Sequence, residues 1–185
     1  MPLIPYADTA ALPDAARQAF DALPRKLNIF RIWANAATLF VPGLGFGGAI
    51  LSKEMLGKDL RELIILAVAR LEGGIYEWVQ HVPIGKRAGC NDAQIAALEA
   101  LRFDDAATFD VRARAMLELV REVVRDVKAG EATVEEAKRH FCPQEIVEII
   151  LTAGFYMTMA RMTETTRVDV DAPEGVAVPE WGRVK

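Results

Sequence analysis

Leu63 to Ala69 is an unbroken apolar run inside a segment with helical character from Asp59 to Glu72. A helix without a polar face has to be surrounded by other elements. Gly73-Gly74 follows it, as expected where a helix ends in a left-handed residue. That run therefore predicts a central helix with the rest of the chain packed around it. Sustained strand alternation is almost absent elsewhere, and the fold class is read as all-α.

The flanking elements follow from breakers and caps. Leu12 to Leu23 reads as a short amphipathic helix ending before Pro24, and a second helical stretch starts near Ile29 and is broken at Pro42-Gly43. A helix from Tyr76 to about Ala88 follows the Gly-Gly turn, with Pro83 expected to kink or end it just past His81. Asn91 to Leu101 is a short helix and Val111 to Lys128 an amphipathic one, with Met116, Val120, Val123 and Val127 on its stripe. Gly130 closes that helix, Thr133 caps another through Lys138, and Pro143 opens a last long one. Three regions result: an N-terminal arm and short helix over 1–26, a helical domain over 27–167, and an irregular tail over 168–185. Trp181 on that tail predicts that it docks.

The chain has 185 residues, 52% of them hydrophobic, and a net charge of −4 with acids and bases alternating. That balance provides no phosphate-binding surface, so nucleic acid is not an expected partner. No stretch reaches the ~20 apolar residues of a membrane span, the nearest, Ala36 to Leu51, being interrupted by Pro42 and four glycines. The glycines at 43, 45, 47 and 48 lack the Lys-Ser/Thr and the preceding strand of a phosphate loop. The first residues show no basic or apolar signal region, and Cys90 and Cys142 lie far apart without metal-like spacing. The expected location is therefore a reducing cytoplasm.

Chemistry concentrates in two helices. Glu77 and His81, four apart, share a helix face with Trp78 beside them. A carboxylate there can fix the imidazole tautomer, giving an acid–base pair next to small and apolar groups. Glu62 leans towards the core among Ile65, Leu66 and Ala69. It reads either as the far end of a capping box begun by Asp59 or as a functional proton site. A rise of ~1.5 Å per residue puts Glu62 about 17 Å and His81 about 11 Å from the Gly-Gly turn, which argues against direct contact. His140 reads as a helix-end histidine.

The run Arg61 to Ala69, then Tyr76-Glu77-Trp78-Val79-Gln80-His81 and Gly89, resembles the carboxymuconolactone decarboxylase and alkyl-hydroperoxidase D-like family. The likeness is to a subgroup reading Tyr-Glu-Trp-x-x-His, and it extends over about 27–165 through Leu27 to Arg31 and Glu145 to Tyr156. In the peroxidase branch a Cys-x-x-Cys pair precedes the histidine. Those positions fall here on Gly74 and Glu77, so both thiols are missing while the relay acid, Glu62, and His81 remain. Thiol–disulfide chemistry needs an attacking thiolate and a resolving thiol, and Cys90 does not restore the pair. The resemblance implies an alkyl-hydroperoxidase D-like helical bundle that assembles as a trimer or hexamer. It also implies cofactor-free acid–base chemistry, without metal, on a small carboxylate or lactone by a decarboxylase-like lyase. His81 would be the acid/base, oriented by Glu77, with Glu62 as proton relay and Tyr76 and Trp78 as substrate-binding walls. The alternatives are a hydroperoxidase-like, peroxiredoxin-type protein using Cys90 and a non-catalytic oligomeric ligand-binding protein.

Overall fold

The computed structural model describes residues 1–181. Among these the regular structure is helical: α1 Asp14–Asp21, α2 Asn28–Trp33, α3 Ala37–Lys53, α4 Lys58–Glu72, α5 Ile75–Ala88, α6 Asp92–Glu99, α7 Val111–Asp126, α8 Glu131–Lys138 and α9 Pro143–Thr166. As the apolar run requires, α4 is the axis, packed by α5, α6, α7 and α9. Each of Leu63 to Ala69 is at most 2% exposed. Removing a side chain of Leu or Ile size from water supplies about 1.5–3 kcal/mol, so this one helix organises the core.

Gly73, at φ 73°, makes the left-handed turn that reverses the chain from α4 into α5. Asn91 starts α6 with a reciprocal capping box to Gln94, and Pro143 occupies the first turn of α9. The N-terminal arm packs Ala16 and Phe20 against Phe40 of α3.

Four boundaries differ from expectation. The break in the second helical stretch falls at Ala34–Ala36, where Asn35 donates to the carbonyls of Ile32 and Pro5 and so ends α2. Pro42 sits inside α3; the carbonyl it cannot bond belongs to Thr38, which is exposed to solvent. Likewise α5 continues through Pro83 to Ala88. Further on, Val127, at φ 70°, ends α7, while Gly130 starts α8 and Thr133 lies inside it, donating to Glu122.

By length and hydropathy α9 could cross a membrane, contrary to the reading of the bare sequence. Its apolarity matches its position, because it packs on α4, α5 and α7. The tail docks as expected: Trp181 stacks edge-on to Trp78 at 5.4 Å, lies under the Arg70 guanidinium and donates to Glu99. Residues 182–185 of the expected tail lie outside the described residues.

Candidate active site

A cavity of about 460 Å³ opens between α2, α3, α5 and α9. Ile29, Phe30 and Trp33 of α2 and Leu44 of α3 give it apolar walls, and Phe155 and Met159 of α9 close the far side. Glu77, Gln80 and His81, on successive positions of one α5 face, bring polar groups to it. Its size suits a small organic ligand.

Behind His81 lies a buried charged chain. The His81 Nδ1 is 2.8 Å from Oε2 of Glu62, whose side chain is wholly buried. Arg61 donates from Nε and Nη2 to the other oxygen of Glu62, at 3.3 and 3.2 Å, and from Nη1 to the Leu51 carbonyl. Neighbours in sequence ordinarily point apart on a helix; this pair closes because both side chains are long. With Nδ1 directed at a carboxylate, the imidazole is fixed in orientation, and Nε2 is the nitrogen left for a ligand in the cavity. The ring is further held edge-on to Tyr156 at 5.0 Å. Burial, reinforced by Glu62, pushes the Tyr156 hydroxyl far above its ordinary range, so it stays protonated.

The expected separation of Glu62 and His81 is corrected. A methyl placed on Gly85 would lie 3.6 Å from Glu62 Cβ, so Glu62 stands at the height of Gly85, as the helix rise predicts. Its three-bond side chain then reaches back one α5 turn, about 5.4 Å, to His81. The capping-box reading also falls: Gly57 is the N-cap of α4, no side chain caps it, and Glu62 is engaged with Arg61 and His81.

Glu77 makes no side-chain hydrogen bond or ion pair with His81. Its two oxygens lie 3.1 Å from the Thr163 hydroxyl on α9, because burial between α5 and α9 turns the side chain across the helix pair. Desolvation raises its carboxyl to about 7, with Glu164 adding to the effect. Tyr76 does line the cavity with its ring, but its hydroxyl donates to Asp171 at 2.5 Å and accepts from the Ile29 amide. Trp78 is absent from the cavity wall; its ring is buried in the core instead, against Trp181.

Arg61, Gln80, Tyr156 and the α2 wall are site residues that the sequence did not single out. Arg61 carried a signal, since an arginine inside an otherwise apolar helix needs an acidic partner. The α2 wall and Tyr156 carried none, being ordinary apolar helix positions. Cys90 is buried below Gly85 and outside the cavity lining, and desolvation pushes its thiol up to about 12. Among the described residues no group of three or more His, Cys, Asp or Glu side chains is arranged to hold a metal.

Fold and site together define an all-helical protein with a buried Arg–Glu–His chain ending at an apolar cavity. The family model for carboxymuconolactone decarboxylases matches residues 44–122, the span holding α4, α5 and that chain. The likeness to the carboxymuconolactone decarboxylase family thus rests on this segment, while the fold as a whole is alkylhydroperoxidase D-like. Among solved structures, an uncharacterized peroxidase-related protein with an alkylhydroperoxidase AhpD core from Ralstonia eutropha aligns with TM-score 0.76 and 23% identity over 92% of each chain. A putative antioxidant defence protein AhpD from Agrobacterium tumefaciens aligns with TM-score 0.68 and 21% identity, over 76% of this chain and 97% of that one. A cysteine-to-alanine variant of the debrominase Bmp8, in complex with 2,3,4-tribromopyrrole, aligns with TM-score 0.74 and 16% identity over 92% of this chain and 91% of its own. These likenesses show the shared fold. A comparison with curated proteins gives no match.

Proposed function

We propose that the protein is a cofactor-free acid–base enzyme, a decarboxylase-like lyase acting on a small carboxylate or lactone held in the α2–α3–α5–α9 cavity. The observation that carries this reading is the 2.8 Å contact of buried Glu62 with His81 Nδ1, which leaves Nε2 for a ligand. In this reading His81 moves the proton. Glu62 holds the ring in orientation, and Arg61 holds Glu62 in place. The apolar walls exclude water, which strengthens each of these interactions.

A relay of this kind contributes about 10²–10⁴-fold to a rate. His81→Ala should therefore lose at least a hundredfold in kcat on any lactone or carboxylate that the wild type turns over; retained turnover refutes the assignment. Thiol chemistry through Cys90 is disfavoured because burial pushes the thiol up to about 12 and keeps it protonated.

We also propose that the chain forms a homo-oligomer, a trimer or hexamer. Leu39 and Phe46 on α3 and Val147, Ile150 and Leu151 on α9 are exposed, and apolar exposure of this extent marks interaction surfaces.

A further inference from the structure

Among the described residues three glutamates are buried, and they are not treated alike. Glu62 has Arg61, and Glu72 has a two-pronged ion pair with Arg161. Glu77, 2% exposed, has no cation within ion-pair distance among the described residues. Its carboxyl meets the Thr163 hydroxyl and its own backbone amide, and it alone of the three lines the cavity.

The Thr163 contact is itself short of protons. Four acceptor oxygens surround that hydroxyl at 3.1 Å: both oxygens of Glu77 and the carbonyls of Met159 and Ala160. A hydroxyl carries one proton. If it goes to a carbonyl, as for threonines within helices, the approach of Glu77 needs a proton of its own. If it goes to one Glu77 oxygen, the other oxygen remains for a ligand.

The geometry points to Glu77 as a neutral carboxylic acid in the cavity wall, donating a hydrogen bond to the carbonyl oxygen of a lactone, ketone or ester. A buried carboxyl without a cation is cheaper protonated than charged. The surrounding charges agree. Glu164 on α9 faces it and repels its charged form, Tyr76 beside it on α5 stays protonated, and Asp171 of the tail is engaged by Tyr76. On the remaining sides His81 and Arg61 are committed to Glu62, and Arg25 lies in the cavity lining without an ion pair to Glu77. When a carbonyl enters, Thr163 turns its proton to one Glu77 oxygen while the acid proton on the other meets the ligand. His81 and Glu77, one turn apart with Cβ atoms about 5–6 Å from each other, would then address a carbonyl oxygen and a neighbouring atom of one molecule. This deepens the proposed reaction by assigning its carbonyl-binding group, and rests on that reading for its chemical sense but not for its test.

The probe is coumarin, a small aromatic lactone, with naphthalene as a control of similar shape lacking an acceptor, titrated calorimetrically at pH 6 and pH 8. The neutral fraction of a carboxyl titrating near 7 falls about tenfold across that interval, so coumarin affinity should fall by about the same factor. Naphthalene affinity should stay constant. Glu77→Gln keeps a donor of the same shape and should bind coumarin at both pH values as the wild type does at pH 6. An infrared band of a protonated carboxyl, present in the wild type at pH 6 and lost in E77Q, should accompany this. Flat coumarin affinity in the wild type, no coumarin binding at pH 6, or the same decline in E77Q each overturns the assignment. Preference for 2-aminoindane at pH 8, lost in E77Q, overturns it too, showing a carboxylate that recruits cations. None of these readouts involves turnover, so failure of the His81→Ala test and failure here are separate results.

Discussion

Arg61, Glu62 and His81 make a charged chain in which only His81 approaches the cavity. Removing one partner from a buried ion pair strands the other's charge, at a cost of about 3–5 kcal/mol. Arg61→Met should therefore lower stability by about that amount in chemical denaturation, because Glu62 is wholly buried. Glu77 gives the opposite result. Its carboxyl is raised from 4.5 to about 7, so the folded state holds the proton more tightly than the unfolded one. Its contribution is complete below about pH 4.5 and is lost as pH rises towards 7. Glu77→Gln should match the wild type near pH 4.5 and exceed it at pH 8 by about 3 kcal/mol, read from denaturation midpoints at the two pH values.

At the level of elements, the start of α5 is packed closely on α9. A Cβ on Gly74 would lie 2.8 Å from Ala160 Cβ and 2.8 Å from Glu77 Oε2. Gly74→Ala should therefore part α5 from α9 and lower stability by about 1–3 kcal/mol, the usual cost of overpacking, measurable in the same denaturation series. The α2 wall of the cavity is held from the tail instead. Asp171 accepts from the Asn28 amide and side chain and from the Tyr76 hydroxyl, while its carbonyl accepts from Gln80. Replacing Asp171 by Ala should release that wall, seen as faster amide exchange over residues 28–33 with the α4 amides unchanged.

Across the whole molecule, the first residues meet the segment that closes and follows α9. Leu3 bonds the Thr166 carbonyl, and Tyr6 exchanges hydrogen bonds with Asp169. On another side, the exposed apolar residues of α3 and α9 suit contact between copies of the chain. Leu151→Glu should shift the proposed homo-oligomer towards monomer in light scattering, while leaving helix content in circular dichroism unchanged.

Much of this was written in local order. The apolar run of Leu63 to Ala69 can only be an enclosed helix, Gly73 can only end it, and a Glu–His helix face beside it announces chemistry. Periodicity and backbone sterics act between near neighbours, which is why those features are legible in the chain. Which carboxylate holds His81 was not, because a flexible Glu62 side chain reaches one turn further than backbone heights suggest. Nor could periodicity reveal that Trp78 faces Trp181 instead of the cavity, or that α2 forms its wall. Those outcomes depend on how helices distant in sequence cross and on which buried charges find partners, and packing in three dimensions alone decides them.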